Sequence, residues 1–249
     1  MRFCIPVPCF FKGDFASAVR KVKDLGFDAI ETYDWKNLDF DAVRCALDET
    51  GVELVSMCTT EFNLTDPEYR EKWLGGLSES CDAAKKLSVK HLITQVGNDT
   101  GKPREYQHVS IVEGLRLAAP MLEKYHVTLM IEPLNTLYDH RGYYLWSSRE
   151  AFDIIREVNS PNVKVVYDIY HQQVMEGNVI RNITENLDCI AHLHAAGNPG
   201  RHELQFGESD YKVIWQACEN SGYKGCCGLE YLPLLEPEKS LCEFKRIYL

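Results

Sequence analysis

Four polar residues stand where short apolar runs end. Glu132 follows Leu129-Met130-Ile131, Asp168 follows Val165-Val166-Tyr167, His194 closes Ile190-Ala191-His192-Leu193, and Glu230 follows Gly228-Leu229. Three carboxylates and one imidazole make a hard-oxygen donor set with a single nitrogen, the chemistry that suits Mn²⁺, Mg²⁺ or a similar divalent ion. Taken singly, each carboxylate also reads as a helix cap or an ion-pair partner. Glu132 and Glu230 resist that reading, because an ionised Glu directly ending a buried run is costly unless it is paired or metal-bound. If the four meet, one pocket holds a Lewis acid together with general bases.

Meeting requires a particular scaffold. The chain alternates short apolar runs with amphipathic stretches about eight times. Strands are expected at 2–7, 29–32, 52–58, 91–95, 127–131, 163–167, 190–194 and 225–229. Helices are expected between them at 14–25, 39–50, 69–87, 104–125, 148–158, 179–187 and 211–220, with a closing helix from Glu236 and a kink before Pro120. Ser147 with Glu150 reads as a capping box. Helical rather than hairpin connections argue for parallel strands. In a parallel barrel the C-terminal strand ends converge on one mouth, where all four residues would lie. The fold class is therefore α/β, a single (β/α)8 TIM barrel, and 249 residues suit one domain over 1–249. An open doubly wound sheet would want a phosphate-binding glycine loop after its first strand. Pro8-Cys9-Phe10-Phe11-Lys12-Gly13 is no such loop.

More candidates follow the strand ends. His171 falls on the turn three residues beyond Asp168, where it reads as a substrate donor or as an ordinary surface group. Arg201, after the turn Asn198-Pro199-Gly200, is placed to hold a carboxylate bidentately; its competing reading is a salt bridge to Glu203 or Glu208. Asn135 and Tyr170 are weaker candidates, and Trp35 with Phe62 would form an apolar wall or simply core. The formal net charge of −10 argues against a nucleic-acid partner. The densest basic stretch, Arg20-Lys21-Val22-Lys23, reads as a solvated helix face. The ten cysteines contain no Cys-x-x-Cys pair, the start of the chain lacks a signal-peptide pattern, and no run is long enough to span a bilayer. A reducing cytoplasm without membrane association is expected, and the sequence leaves a homo-oligomer open.

The segments Ile131-Glu132-Pro133-Leu134-Asn135, Tyr167-Asp168-Ile169-Tyr170-His171-Gln172, Met175-Glu176-Gly177, Asn198-Pro199-Gly200-Arg201-His202-Glu203 and Gly228-Leu229-Glu230-Tyr231 resemble the hydroxypyruvate isomerases. These belong to the xylose isomerase-like barrel superfamily, with the ketose 3-epimerases and the endonuclease IV repair enzymes. The match is carried by the second half of the chain. The resemblance implies a divalent metal on Glu132, Asp168, His194 and Glu230. It implies Glu132 and Glu230 as the proton-transfer pair, with His171 and Arg201 contacting a small sugar or keto acid. Asn135, and Arg141 as a second cation for a substrate carboxylate, are further substrate-binding candidates. The expected activity is aldose–ketose isomerisation through an enediolate. Two departures bear on the substrate: the isomerases tend to carry Gln where this chain has His194, as the 3-epimerases do not, and Arg141 stands where the isomerase pattern tends to have Pro. Ketose 3-epimerisation is the alternative. Phosphodiester hydrolysis fits less well, because it wants a basic face and more His ligands.

Overall fold

The computed structural model describes residues 1–249. Eight strands, β1 (Arg2–Pro6), β2 (Ala29–Thr32), β3 (Glu53–Cys58), β4 (His91–Thr94), β5 (Thr128–Ile131), β6 (Val163–Asp168), β7 (Ile190–Ala195) and β8 (Cys226–Leu229), close into a barrel in chain order. Every neighbouring pair is parallel, including the closing pair β1–β8. Ten helices accompany them: α1 (Val7–Phe10), α2 (Phe15–Asp24), α3 (Phe40–Thr50), α4 (Arg70–Leu87), α5 (Arg104–Tyr125), α6 (Ser148–Val158), α7 (Ile169–Met175), α8 (Val179–Thr184), α9 (Tyr211–Asn220) and α10 (Pro237–Tyr248).

Local chemistry sets the boundaries. Asp14, Asp39 and Asp210 accept backbone N–H bonds in the first turns of α2, α3 and α9, satisfying donors that a helix start leaves free. Gly51 ends α3 at φ 68°, in the left-handed region where a glycine carries no Cβ penalty. Helix α5 runs continuously through Pro120. The capping box at α6 is half formed. Ser147 Oγ accepts from Glu150 N–H at 3.4 Å, but the Glu150 carboxylate turns instead to Arg104 and Tyr144.

Two short helices go beyond the expected pattern. Val7 leaves the barrel and opens α1, with Pro8 in its first turn, where the missing N–H costs nothing. Helix α7 starts immediately after β6, so His171 sits on a helix and not on a turn. Both are too short for helical periodicity to be visible in sequence.

The main core lies between the strands and the helices, as one continuous cluster of 68 buried residues. Inside the barrel the apolar residues form only two clusters of three, Cys4/Ala29/Val55 and Ile93/Met130/Val166. Barrel interiors are usually filled by layers of branched apolar side chains. Here Glu31, His192 and His194 occupy much of that space, each at most 2% exposed. A polar barrel interior is costly to build unless each group finds a partner, which draws attention to the arrangement above it.

Candidate active site at the barrel mouth

The strand register assembles the site. Asp168 and His194 are directly opposed on β6 and β7, and His194 opposes Gly228 on β8. Glu132 and Glu230 lie one residue beyond β5 and β8. One ligand atom from each of Glu132, Asp168, His194 and Glu230 falls within 4.8 Å of the others, and all four residues are buried. His194 Nδ1 lies 3.1 Å from Glu132 Oε1 and 3.3 Å from Glu230 Oε2. Asp168 Oδ1 accepts from the N–H groups of Tyr170 (2.7 Å) and His171 (3.2 Å), capping α7. Its other oxygen, Oδ2, is buried without a hydrogen-bond partner. A buried carboxylate oxygen left unpaired in a native site calls for an ion or ligand. Three carboxylates and one imidazole, with that orphaned oxygen aimed among them, fit a divalent cation.

The charges act strongly on each other. Burial and the nearby charge of Glu230 push Asp168 up to about 7, although Arg201 opposes them. Burial would raise Glu230 too, but His194 and Arg201 outweigh it and hold it well below the usual carboxylate range. Burial disfavours charge on His194, yet Glu230 and Glu31 pull it well above its ordinary value. Glu230 is the more tightly held of the two glutamates: Tyr33 donates to Oε1 at 2.7 Å and Arg201 Nη2 to Oε2 at 2.6 Å. The Glu132 carboxylate has one partner, His194.

Above the cluster lies a cavity of about 310 Å³, lined by Glu132, His194, Glu230, Arg201, Tyr33, His140, Gln95, Cys58, Phe62, Ile93 and Leu134. Of the expected substrate contacts, Arg201 reaches it. Its φ of 57° is left-handed, a strained conformation for a non-glycine residue and one that clusters at functional sites. Its partners are Glu230 and, at 4.0 Å, Asp168, not Glu203 or Glu208. Glu203 is committed elsewhere, accepting the N–H groups of Leu234 and Leu235 at 3.0 Å each.

His171 is fully buried and does not line the cavity. Its Nδ1 accepts from Asn135 Nδ2 at 2.7 Å, so Nε2 carries the proton and faces Asp168 Oδ2 at 3.6 Å. Burial first, and the charge of Arg201 second, keep it neutral. Asn135 thus orients His171 and does not itself line the pocket. Arg141 is exposed and outside the cavity, and its neighbour His140 is the residue of that loop that lines it. Phe62 forms part of the apolar wall, whereas Trp35 is buried behind it and donates to the Cys58 carbonyl. Tyr170 stacks under Arg201 with the guanidinium 5.6 Å from its ring centre.

Sequence reasoning missed Tyr33, His140 and Glu31. Glu31 lies inside the barrel and accepts from His194 Nε2 (3.0 Å), His192 Nε2 (2.6 Å) and Cys4 Sγ (2.7 Å). A Cβ at Gly228 would come within 2.7 Å of the His194 ring and 2.9 Å of the Glu31 carboxylate, so this pair exists only beside a glycine. The alternation of Ala29 and Glu31 on a buried strand is the available signal for Glu31.

The sequence matches the family model described as xylose isomerase-like TIM barrel over residues 19–244. It is 32% identical to the hydroxypyruvate isomerase of Escherichia coli (strain K12) over 241 residues, 93% of each chain. It is 29% identical to the 2-oxo-tetronate isomerase of Pectobacterium atrosepticum, over 91% of this chain and 90% of that one. Among solved structures, an AP endonuclease, family 2, from Brucella melitensis superposes with a TM-score of 0.93 at 26% identity, covering 100% of this chain and 99% of that one. With this barrel and this family match over most of its length, the chain belongs to the xylose isomerase-like TIM barrel family and is an isomerase.

Proposed function

We propose that the protein is a metal-dependent isomerase of a small hydroxy-keto acid or sugar, hydroxypyruvate-like in size, with Mn²⁺ or Mg²⁺ on Glu132, Asp168, His194 and Glu230. The observation that carries this reading is the buried, converging set of four donors with an orphaned Asp168 oxygen, directly beneath a small cavity. The bound ion would supply Lewis-acid stabilisation of the negative charge that builds on the substrate oxygens.

The chain's own residues do the rest. Glu132 and Glu230 line the cavity and move a proton from the hydroxyl-bearing carbon to the adjacent carbonyl carbon by way of an enediolate, while the hydroxyl proton passes to the former carbonyl oxygen. Glu132, with one hydrogen-bond partner, is the freer to take the proton. Glu230, held on both oxygens by Tyr33 and Arg201, is fixed in place to return or share it. His171, neutral and oriented by Asn135, presents an N–H toward Asp168 and so acts on the donor set from behind the cavity. Arg201 is the cation for a substrate carboxylate, and the apolar wall of Phe62, Ile93 and Leu134 limits chain length. The isomerase names of the two relatives support a 2-oxo acid substrate. The unpaired cysteines fit a reducing cytoplasm.

Ketose 3-epimerisation would use the same two glutamates on opposite faces of one carbon, and His194 is the residue that favours it. Phosphodiester hydrolysis is opposed by the net charge of −10 and by carboxylates converging where a phosphate would bind. The test is incubation in D₂O with Mg²⁺, with hydroxypyruvate and with neutral ketoses, followed by NMR. Deuterium should enter hydroxypyruvate or its aldehyde isomer, and EDTA should stop it. Exchange confined to neutral ketoses would replace the isomerase reading with the epimerase one. Exchange undiminished by EDTA would remove the metal.

A further inference from the structure

Below the four-residue cluster, Glu31 is the one carboxylate inside the barrel that belongs to no expected ligand set. It is 1% exposed, and its two oxygens are fully engaged. Oε1 accepts from Cys4 Sγ at 2.7 Å and His192 Nε2 at 2.6 Å, and Oε2 accepts from His194 Nε2 at 3.0 Å. The opposite ring nitrogen of His194, Nδ1, is the one within 3.1–3.3 Å of Glu132 and Glu230. One imidazole therefore bridges two carboxylate environments, one nitrogen in each. Without a cation both nitrogens hold protons for the carboxylates they face. In the neutral ring that would bind a cation, an N–H committed to Glu31 leaves the lone pair on Nδ1, on the side of Glu132 and Glu230. Metal-ligating imidazoles typically donate their second nitrogen to a carboxylate in this way, which fixes the tautomer and the ring plane.

The group Cys4, Glu31 and His192 also has the residue types of an ion site. The existing bonds argue against that use, since a cation there would have to displace an S–H and an N–H already paired with Glu31. The His192 ring stands at 90° to that of His194, with centroids 5.0 Å apart, and holds Glu31 from the other side.

We propose that Glu31 is a positioning residue: it holds His194 with Nε2–H donated downward, so that Nδ1 is the nitrogen offered to a divalent ion. The inference rests on the reading that the upper cluster binds such an ion. Cys4 and His192 serve it by locking the Glu31 carboxylate in place.

Glu31→Gln keeps the shape but replaces one oxygen by an amide N–H₂, so either His192 or His194 faces a donor with a donor. Mn²⁺ binding to the metal-free full-length protein, followed by calorimetry, should weaken 10- to 100-fold, a size typical for loss of such a partner, with one ion still bound per chain. In a His194→Gln background, where Glu31 has no imidazole left to orient at that position, the same change should weaken binding by less than about twofold, because the step it acts through is gone. A merely structural role would weaken binding equally in the two backgrounds, and that result overturns the proposal, as does Glu31→Gln binding like wild type.

Should Glu31→Gln not fold, ¹⁵N-histidine NMR of the wild type decides. On Mg²⁺ or Zn²⁺ addition His194 Nε2 should keep its proton while Nδ1 shifts, and a shift at Nε2 instead refutes the idea. Two ions per wild-type chain would make Glu31 a ligand in its own right and also overturn it. No ion bound by the wild type would defeat the metal reading itself, a different failure from an ion that binds regardless of Glu31.

Discussion

Changing Asp168 to Asn should make the metal-free protein more stable and the metal-loaded protein less so. The folded, ion-free site holds Asp168 at about 7 against an ordinary 3.8, mainly through burial and the charge of Glu230. A group whose value is raised on folding contributes stability in full below its unfolded value and loses it as pH rises through the folded one. Ionised Asp168 therefore costs the folded state about 4 kcal/mol near pH 8, at about 1.4 kcal/mol per pH unit.

Asn keeps the outline and the oxygen that caps α7 through Tyr170 and His171. Its N–H₂ would face the Nε2–H of His171 and Arg201 Nη2, 3.6 Å and 4.0 Å from the present oxygen, which returns part of the gain. The net expectation in EDTA near pH 8 is a stabilisation of about 2 kcal/mol. It should shrink by more than half near pH 5, where wild-type Asp168 is already protonated in the fold. Saturating Mn²⁺ at about 100 times its Kd adds about 2.7 kcal/mol to the wild type and much less to the variant, so the order reverses. Urea unfolding followed by tryptophan fluorescence, with EDTA or Mn²⁺ at the two pH values, measures all four quantities. An Asp168→Asn variant that is no more stable than wild type in EDTA near pH 8 would refute the claim that Asp168 is held there at a cost an ion relieves.

Other outcomes follow from the same geometry. Glu132→Gln and Glu230→Gln should each lose turnover by on the order of 10² or more at saturating metal, whereas His194→Gln should lose mainly metal affinity and recover with added Mn²⁺; turnover against metal concentration separates them. Arg201→Met should raise KM for hydroxypyruvate well above its effect on a neutral ketose, and equal losses would remove the carboxylate role. Trp73→Ala, at a side chain buried to 1% exposure in the main core, should lower unfolding stability by about 3–5 kcal/mol without altering metal affinity, read by denaturant titration and calorimetry.

The barrel is legible because its signals are long-range and repeated: an apolar run ending in a polar residue, a helix-length stretch, then another run. Glu132, Asp168, His194 and Glu230 follow that rhythm, and the structure brings their side chains together. What escapes is whatever depends on rotation about a single residue. His171 reads as a turn residue because α7 is only seven residues long and its cap, Asp168, is also the candidate ligand. Arg141 reads as a mouth residue, but the loop turns it to solvent and His140 inward. The competing reading of Arg201 is right in kind and wrong in partner. Proximity across strands, which joins Arg201 to Glu230, outranks the nearby Glu203 and Glu208. Glu31 escapes because a carboxylate inside a strand has no motif; only the side chains opposite it, on β1 and β7, explain it.

Gly228 turns a missing methyl group into a constraint on how this protein can be altered. Because a Cβ there would press on the His194 ring and the Glu31 carboxylate together, any side chain at 228 forces one of them to move. An engineer randomising the mouth to widen substrate choice can vary Phe62, Ile93 and Leu134 independently, yet position 228 is coupled to the donor set and should tolerate nothing. Deep mutational scanning would then show an intolerant position with no chemical group of its own, a gap in the tolerance map that traces the outline of two neighbouring residues.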